Sequence, residues 1–125
     1  MKVVSLRAGR TFVKAVDEQI TWYERNRGDA EANRVDAIIA ALVNRIYNSP
    51  EAGLLIPGLP DNFQKVNASP VAIFYTFNRS KGSVYMFLLR GNRQGTVPNN
   101  ELLRLAAEAE KDSIDYSGGV EPDRD

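Results

Sequence analysis

Arg90 and Arg93 stand near Gly91, directly after a strongly apolar run, and of all the side chains in this sequence they are the best spaced for work on an anion. A guanidinium keeps its charge at any ordinary pH and presents a fixed fork of N–H donors that matches a carboxylate or a phosphate. Lys65, Arg79 and Lys81 lie in the same half of the chain, and across residues 61–97 these five cations face Asp61 alone. Such clustering concentrates an anionic partner locally even though the formal net charge of the chain is zero. Residues 98–125 reverse the balance, with three basic side chains against eight acidic ones. For Arg79 and Lys81 a plain role as solvated turn charges is the simpler account. Arg90 and Arg93, held at the end of a strand, have the placement of functional groups.

The missing residue types narrow the chemistry further. The 125 residues include neither His nor Cys. This removes the Ser-His-Asp triad, the cysteine nucleophile, the Cys/His zinc site and the disulfide, and leaves only oxygen ligands for any metal. The carboxylates gather in the acidic C-terminal segment rather than on opposed strands, so no metal or other cofactor is expected. Acid-base work would fall to Lys, Arg, Tyr, Asp or Glu, with Lys65 the base candidate in the sheet half. The N-terminal run meets Arg7 too soon for a signal-peptide core, and no stretch approaches the ~18 apolar residues of a membrane span. A cytoplasmic protein without membrane contact is expected.

The elements that must hold these groups follow from hydrophobic spacing. Residues 1–6 read as a short strand broken by Arg7-Ala8-Gly9-Arg10. Phe12, Val16, Ile20 and Tyr23 then share one helical face, and Asn26-Arg27-Gly28 ends it. Asp29 is placed to cap a second helix, whose face Val35, Ile38, Ile39, Leu42, Val43 and Ile46 keeps the three-four repeat until Asn48-Ser49-Pro50 stops it. With a connection of about three residues, the two helices are expected to form an antiparallel hairpin. Residues 51–62 read as an irregular connection with some buried anchors. Three strands follow at 63–68, 71–77 and 83–89, the last two joined as a hairpin across the polar turn 78–82. Asn99 or Asn100 is placed to cap a last helix. The expected fold is one α+β domain over residues 1–112 in the order β-α-α-β-β-β-α, with 113–125 as an acidic, flexible tail.

This order, with the "P-x-x-G" segment at Pro50-Glu51-Ala52-Gly53, the "IFY" strand at Ile73-Phe74-Tyr75 and the "LLRGNR" ending at Leu88 to Arg93, resembles the RelE/ParE family of bacterial toxins from type II toxin-antitoxin modules. The likeness covers about residues 1–95. It implies a microbial-ribonuclease-like domain with a helix hairpin packed on a curved antiparallel sheet. It also implies a cognate antitoxin as partner, in a toxin-antitoxin hetero-oligomer or beside a homodimer. ParE-like members bind and inhibit DNA gyrase; RelE-like members cleave mRNA on the ribosome. In the ribonuclease branch, Arg93 would stabilise the phosphorane and Lys65 would act as base or charge donor, with Arg90, Arg79 and Lys81 on the RNA. The chain departs from that branch at Ala72, where an arginine is usual, and in Gln94-Gly95-Thr96-Val97-Pro98, which offers no Tyr or His. A ParE-like binder is therefore the leading expectation, a ribosome-dependent, metal-independent endoribonuclease the alternative, and a non-toxic adaptor on the same fold the third. Trp22, the sole tryptophan, is placed either at a partner surface or at the edge of the core.

Overall fold

The structure, a computed structural model, describes residue 3 and residues 5–117. β1 (Ser5–Gly9) runs directly into α1 (Arg10–Arg27), followed by α2 (Asp29–Asn48), a 3-10 turn at Pro50–Ala52 and β2 (Leu54–Leu55). Then come β3 (Phe63–Ala68), β4 (Val71–Asn78), β5 (Ser83–Gly91), α3 (Asn99–Lys111) and β6 (Ser113–Asp115). The strands form a six-stranded open sheet in the order β2-β3-β4-β5-β1-β6. β1 lies parallel to β5, and the other neighbouring pairs are antiparallel. The fold is α+β. No helix among the described residues is long and apolar enough to cross a membrane.

Strand alternation divides the sheet between two cores. Leu6 and Ala8 of β1, Val71, Ile73, Tyr75 and Phe77 of β4, and Val84, Met86 and Leu89 of β5 face Phe12 of α1 and the buried stripe Val35, Ile39, Leu42, Val43 and Ile46 of α2. Phe63, Phe87 and Leu88 face the opposite side, where Leu102, Leu105, Ala106 and Ala109 of α3 cover them. The register shifts between Phe74 and Tyr75, which pair with Leu88 and Met86, so Phe87 is an extra residue in β5. Such a bulge lets Phe87 and Leu88 serve the same core. It accounts for the unbroken apolar run in this strand.

Several boundaries differ from those expected, each for a local reason. β1 continues through Arg7, Ala8 and Gly9, because β5 and β6 flank it and occupy its backbone groups on both edges. One residue, Gly28, joins α1 to α2, and its φ of 92° lies where a side chain would clash with the backbone. Gly28 also takes the N-cap position expected of Asp29, and its carbonyl accepts the first helical bond, from the Ala32 amide. Pro98 likewise precedes α3 in place of an asparagine cap, its carbonyl accepting from the amides of Glu101 and Leu102. Asn99 instead donates its side-chain amide to the Pro57 carbonyl at 2.9 Å and ties the helix to the connection below it. That connection contains β2, paired with β3 at the sheet edge, and buries Ile56 while leaving Leu54 and Leu55 exposed.

The segment expected to be a tail begins as a strand. β6 pairs with β1, the Arg7 guanidinium donates to the Ser113 hydroxyl at 3.1 Å and to its carbonyl at 2.5 Å, and Tyr116 sets its ring edge-on to Phe12. The rest of the expected tail, from residue 118, lies outside the described residues.

Candidate functional site

β5 ends in a stitched turn that holds Arg93. The Gly91 amide donates to the Gln94 side-chain oxygen at 2.7 Å, and the Gln94 amide donates back to the Gly91 carbonyl at 3.0 Å. The Asn92 amide reaches the Pro70 carbonyl at 2.8 Å, and its side chain donates to the Ser69 hydroxyl at 2.9 Å. From this turn the Arg93 side chain crosses to α1, where its guanidinium carbon stands 4.1 Å from the centre of the Trp22 ring. One of its nitrogens donates to the Gln19 side-chain oxygen at 3.3 Å. Trp22 is in turn braced edge-on by Tyr23, with Arg27 at 5.9 Å from its ring centre.

Gln19 is the part of this arrangement that hydrophobic spacing missed. It is 2% exposed, on a helix face expected to be apolar, and its amide nitrogen has no hydrogen-bond partner among the described residues. A β-carbon at position 91 would lie 2.3 Å from that nitrogen. Gly91 therefore makes room for Gln19. The only trace of this in the sequence is a polar residue one step before Ile20 and a glycine between two arginines.

Arg90 faces the other way. Cross-strand neighbours share a face of a sheet, and the register pairs Ala72 with Arg90, Asn67 with Ala72, Phe74 with Leu88 and Lys65 with Phe74. Arg90 and Lys65 thus occupy adjoining rows on the α3 side, opposite the helix pair that carries Trp22. The Arg90 guanidinium donates to the Gly95 carbonyl at 2.5 Å, while its Nε is buried without a partner among the described residues. Lys65 is half-buried, with its ammonium 5.9 Å from the Phe74 ring centre and β2 at its other side.

Arg79 and Lys81 sit at the far end of β4 and β5. Asn78 there pairs with Ser83, whereas Val71 pairs with Gly91 beside Arg90. Their turn is closed by the Asn78 side-chain oxygen, which accepts from the Lys81 amide and the Ser80 hydroxyl. The five cations therefore do not share one surface, and Arg90 and Arg93, expected together at the end of the strand, are separated. They occupy three separate places: Arg93 on α1, Arg90 with Lys65 on the α3 face, and Arg79 with Lys81 at the hairpin tip.

Tyr75 belongs to the core. It is fully buried, and its hydroxyl donates to the Pro50 carbonyl at 2.7 Å and lies 3.1 Å from the Gln64 side-chain oxygen. The same Gln64 oxygen accepts the Gly53 amide at 3.0 Å. Burial pushes the Tyr75 phenol up to about 12. The "P-x-x-G" and "IFY" segments thus meet in one buried polar knot that anchors the approach to β2.

No protein-family model and no curated protein matches this sequence.

Proposed function

We propose that this protein is the toxin of a type II toxin-antitoxin module, ParE-like in mode: it arrests growth by binding a protein target such as DNA gyrase and is neutralised by a cognate antitoxin. The observation that carries the reading is the separation of Arg93 from Lys65. In-line attack by a ribose hydroxyl needs base, acid and charge donors within hydrogen-bond reach of one phosphate. Here the arginine needed for the phosphorane lies on the Trp22 side of the sheet, and the one lysine candidate for a base lies on the other. An Arg–Trp platform on a stitched turn suits recognition of a protein surface, where these residue types carry much of the binding energy. The element order adds support: a first strand, a helix pair and then antiparallel strands ending in Arg90-Gly91-Asn92-Arg93.

Purified protein free of antitoxin is expected to inhibit supercoiling by gyrase and leave cell-free translation running, and Arg93→Ala is expected to weaken the inhibition about tenfold. Untouched supercoiling with arrested translation would sink the reading. One observation favours the ribonuclease alternative, namely that Lys65 on β3 and Arg90 on β5 share one face of the sheet, on either side of β4 and in successive rows. That alternative requires codon-linked 5′ ends in mRNA after induction, lost in Lys65→Ala. Expression without any effect on growth or supercoiling would leave the adaptor role.

A further inference from the structure

A guanidinium on a flexible stem is ordinarily a mobile donor, and binding it in one orientation costs side-chain entropy. Arg93 is already held at two points. Its guanidinium carbon lies 4.1 Å from the centre of the Trp22 ring, and one of its N–H groups donates to the Gln19 side-chain oxygen at 3.3 Å. Gln19 is itself buried, 2% exposed and packed against Gly91. A guanidinium has five N–H donors in a rigid fork. Among the described residues, the contact with Gln19 is the sole hydrogen bond of Arg93, and no carboxylate pairs with it. Arg10, Arg34 and Arg104, by contrast, each pair with an acidic side chain. Arg93 is exposed, and its remaining donors have no partner among the described residues.

We infer that Arg93, seated on Trp22 and braced by Gln19, is a preorganised receptor for a carboxylate side chain of a protein partner. The inference rests on the reading of Arg93 as a target contact and specifies what it contacts. A carboxylate takes the two parallel N–H bonds that a guanidinium offers along one edge, and the stack presents that edge without further ordering. The surface beside Trp22 decides between a protein and a nucleic acid. A shallow groove of about 550 Å³ runs along α1 from Trp22, and it is lined by Lys14 and Arg25 but also by Asp17 and Glu18. A polyanion following that groove would meet two carboxylates. A protein segment that anchors one acidic side chain on Arg93 can answer this mixed lining, the Lys14–Glu18 pair at 3.8 Å included, with side chains of both signs.

The test uses the full chain and a fluorescein-labelled peptide of alternating Ala-Glu-Ala-Lys units, eight residues long, with a Glu→Gln version and a single-stranded thymidine octanucleotide as comparators. Fluorescence anisotropy is expected to show saturable binding of the Glu peptide, with the Gln version and the octanucleotide each at least about tenfold weaker. Emission from Trp22, the sole tryptophan, should shift along the same curve. Arg93→Lys, which keeps the charge and loses the planar fork, should weaken binding about tenfold, as should Trp22→Leu. Arg104→Ala, on α3, should not. Melting curves establish that each variant is folded, and Arg93→Lys carries the test if Trp22→Leu is not. Equal binding by Arg93→Lys, preference for the octanucleotide, or no saturable binding of the Glu peptide would each overturn the inference. Gyrase inhibition surviving any of these would show that the receptor has failed and the proposed function has not. Peptide binding without gyrase inhibition would show the reverse.

Discussion

At the scale of single residues, two buried polar groups govern what the surrounding segments can do. Tyr75 is held protonated by burial, with its hydroxyl on the Pro50 carbonyl. Its folded value of about 12 lies above the ordinary phenol value near 10. The native state therefore holds this proton more tightly than the unfolded chain. The contribution is complete below about pH 10 and is lost as pH rises through about 12. Stability measured by urea unfolding should fall between those limits, and Tyr75→Phe should flatten that part of the profile. Gln19 makes the second case. Gly91→Ala would drive a β-carbon into the Gln19 amide, so the side chain must swing and Arg93 loses its brace. We expect a loss of about 1–3 kcal/mol in unfolding free energy together with changed Trp22 emission; an unchanged spectrum would show that Gln19 does not hold the arginine. Neither role was legible in residue type. Tyr75 reads equally as core or as acid-base group until its burial is seen, and Gln19 sits on a helical face where spacing marks only apolar positions.

Elements were read more readily where one periodic signal dominated. The stripe of α2 kept its repeat from Val35 to Ile46, and the residues it named are buried or half-buried in the core. β3, β4 and β5 began where β-branched and aromatic density began. Caps and short strands were less legible because long-range pairing decides them. β2 is two residues long and exists by pairing with β3, and β6 exists because β1 offers an open edge and Arg7 reaches Ser113. The turn at Gly28 shows local chemistry prevailing. Gly28→Ala meets no neighbouring atom, yet it must adopt a φ of 92°, so a cost of about 1–2 kcal/mol is expected from backbone strain alone. A neutral result in chemical denaturation would mean that the two helices can be joined through a relaxed turn. Arg7→Ala should loosen β6 selectively, seen as faster hydrogen exchange at the Tyr116 amide, which donates to the Leu6 carbonyl at 2.9 Å.

For the molecule as a whole, the charge division seen along the chain does not become one charged face. The cations of residues 61–97 spread to three places because the turn after β5 carries Arg93 across to α1 while Arg90 and Lys65 face the α3 side, and because Arg79 and Lys81 fall at the far end of the hairpin. Sequence proximity fixed their number and left their grouping open. The C-terminal segment has the opposite history, since part of what looked like solvated tail closes the sheet. Ending the chain after Lys111 would remove the Ser113 partner of Arg7 and the Tyr116 ring beside Phe12. We expect a loss of about 2–4 kcal/mol from the vanished hydrogen bonds and aromatic burial, measured as a lower urea midpoint. A midpoint equal to that of the full chain would place β6 outside the cooperative unit.

Of the described strands β1 emerges from the ribosome first, yet its two neighbours are β5 and β6, the last of them to follow. During synthesis Leu6 and Ala8 must wait unpaired while some eighty residues emerge behind them, a separation that slows closure of the native arrangement. A nascent chain halted before Ser83 has no strand on which residues 5–9 can settle, so this side of the sheet closes only after β5 has emerged.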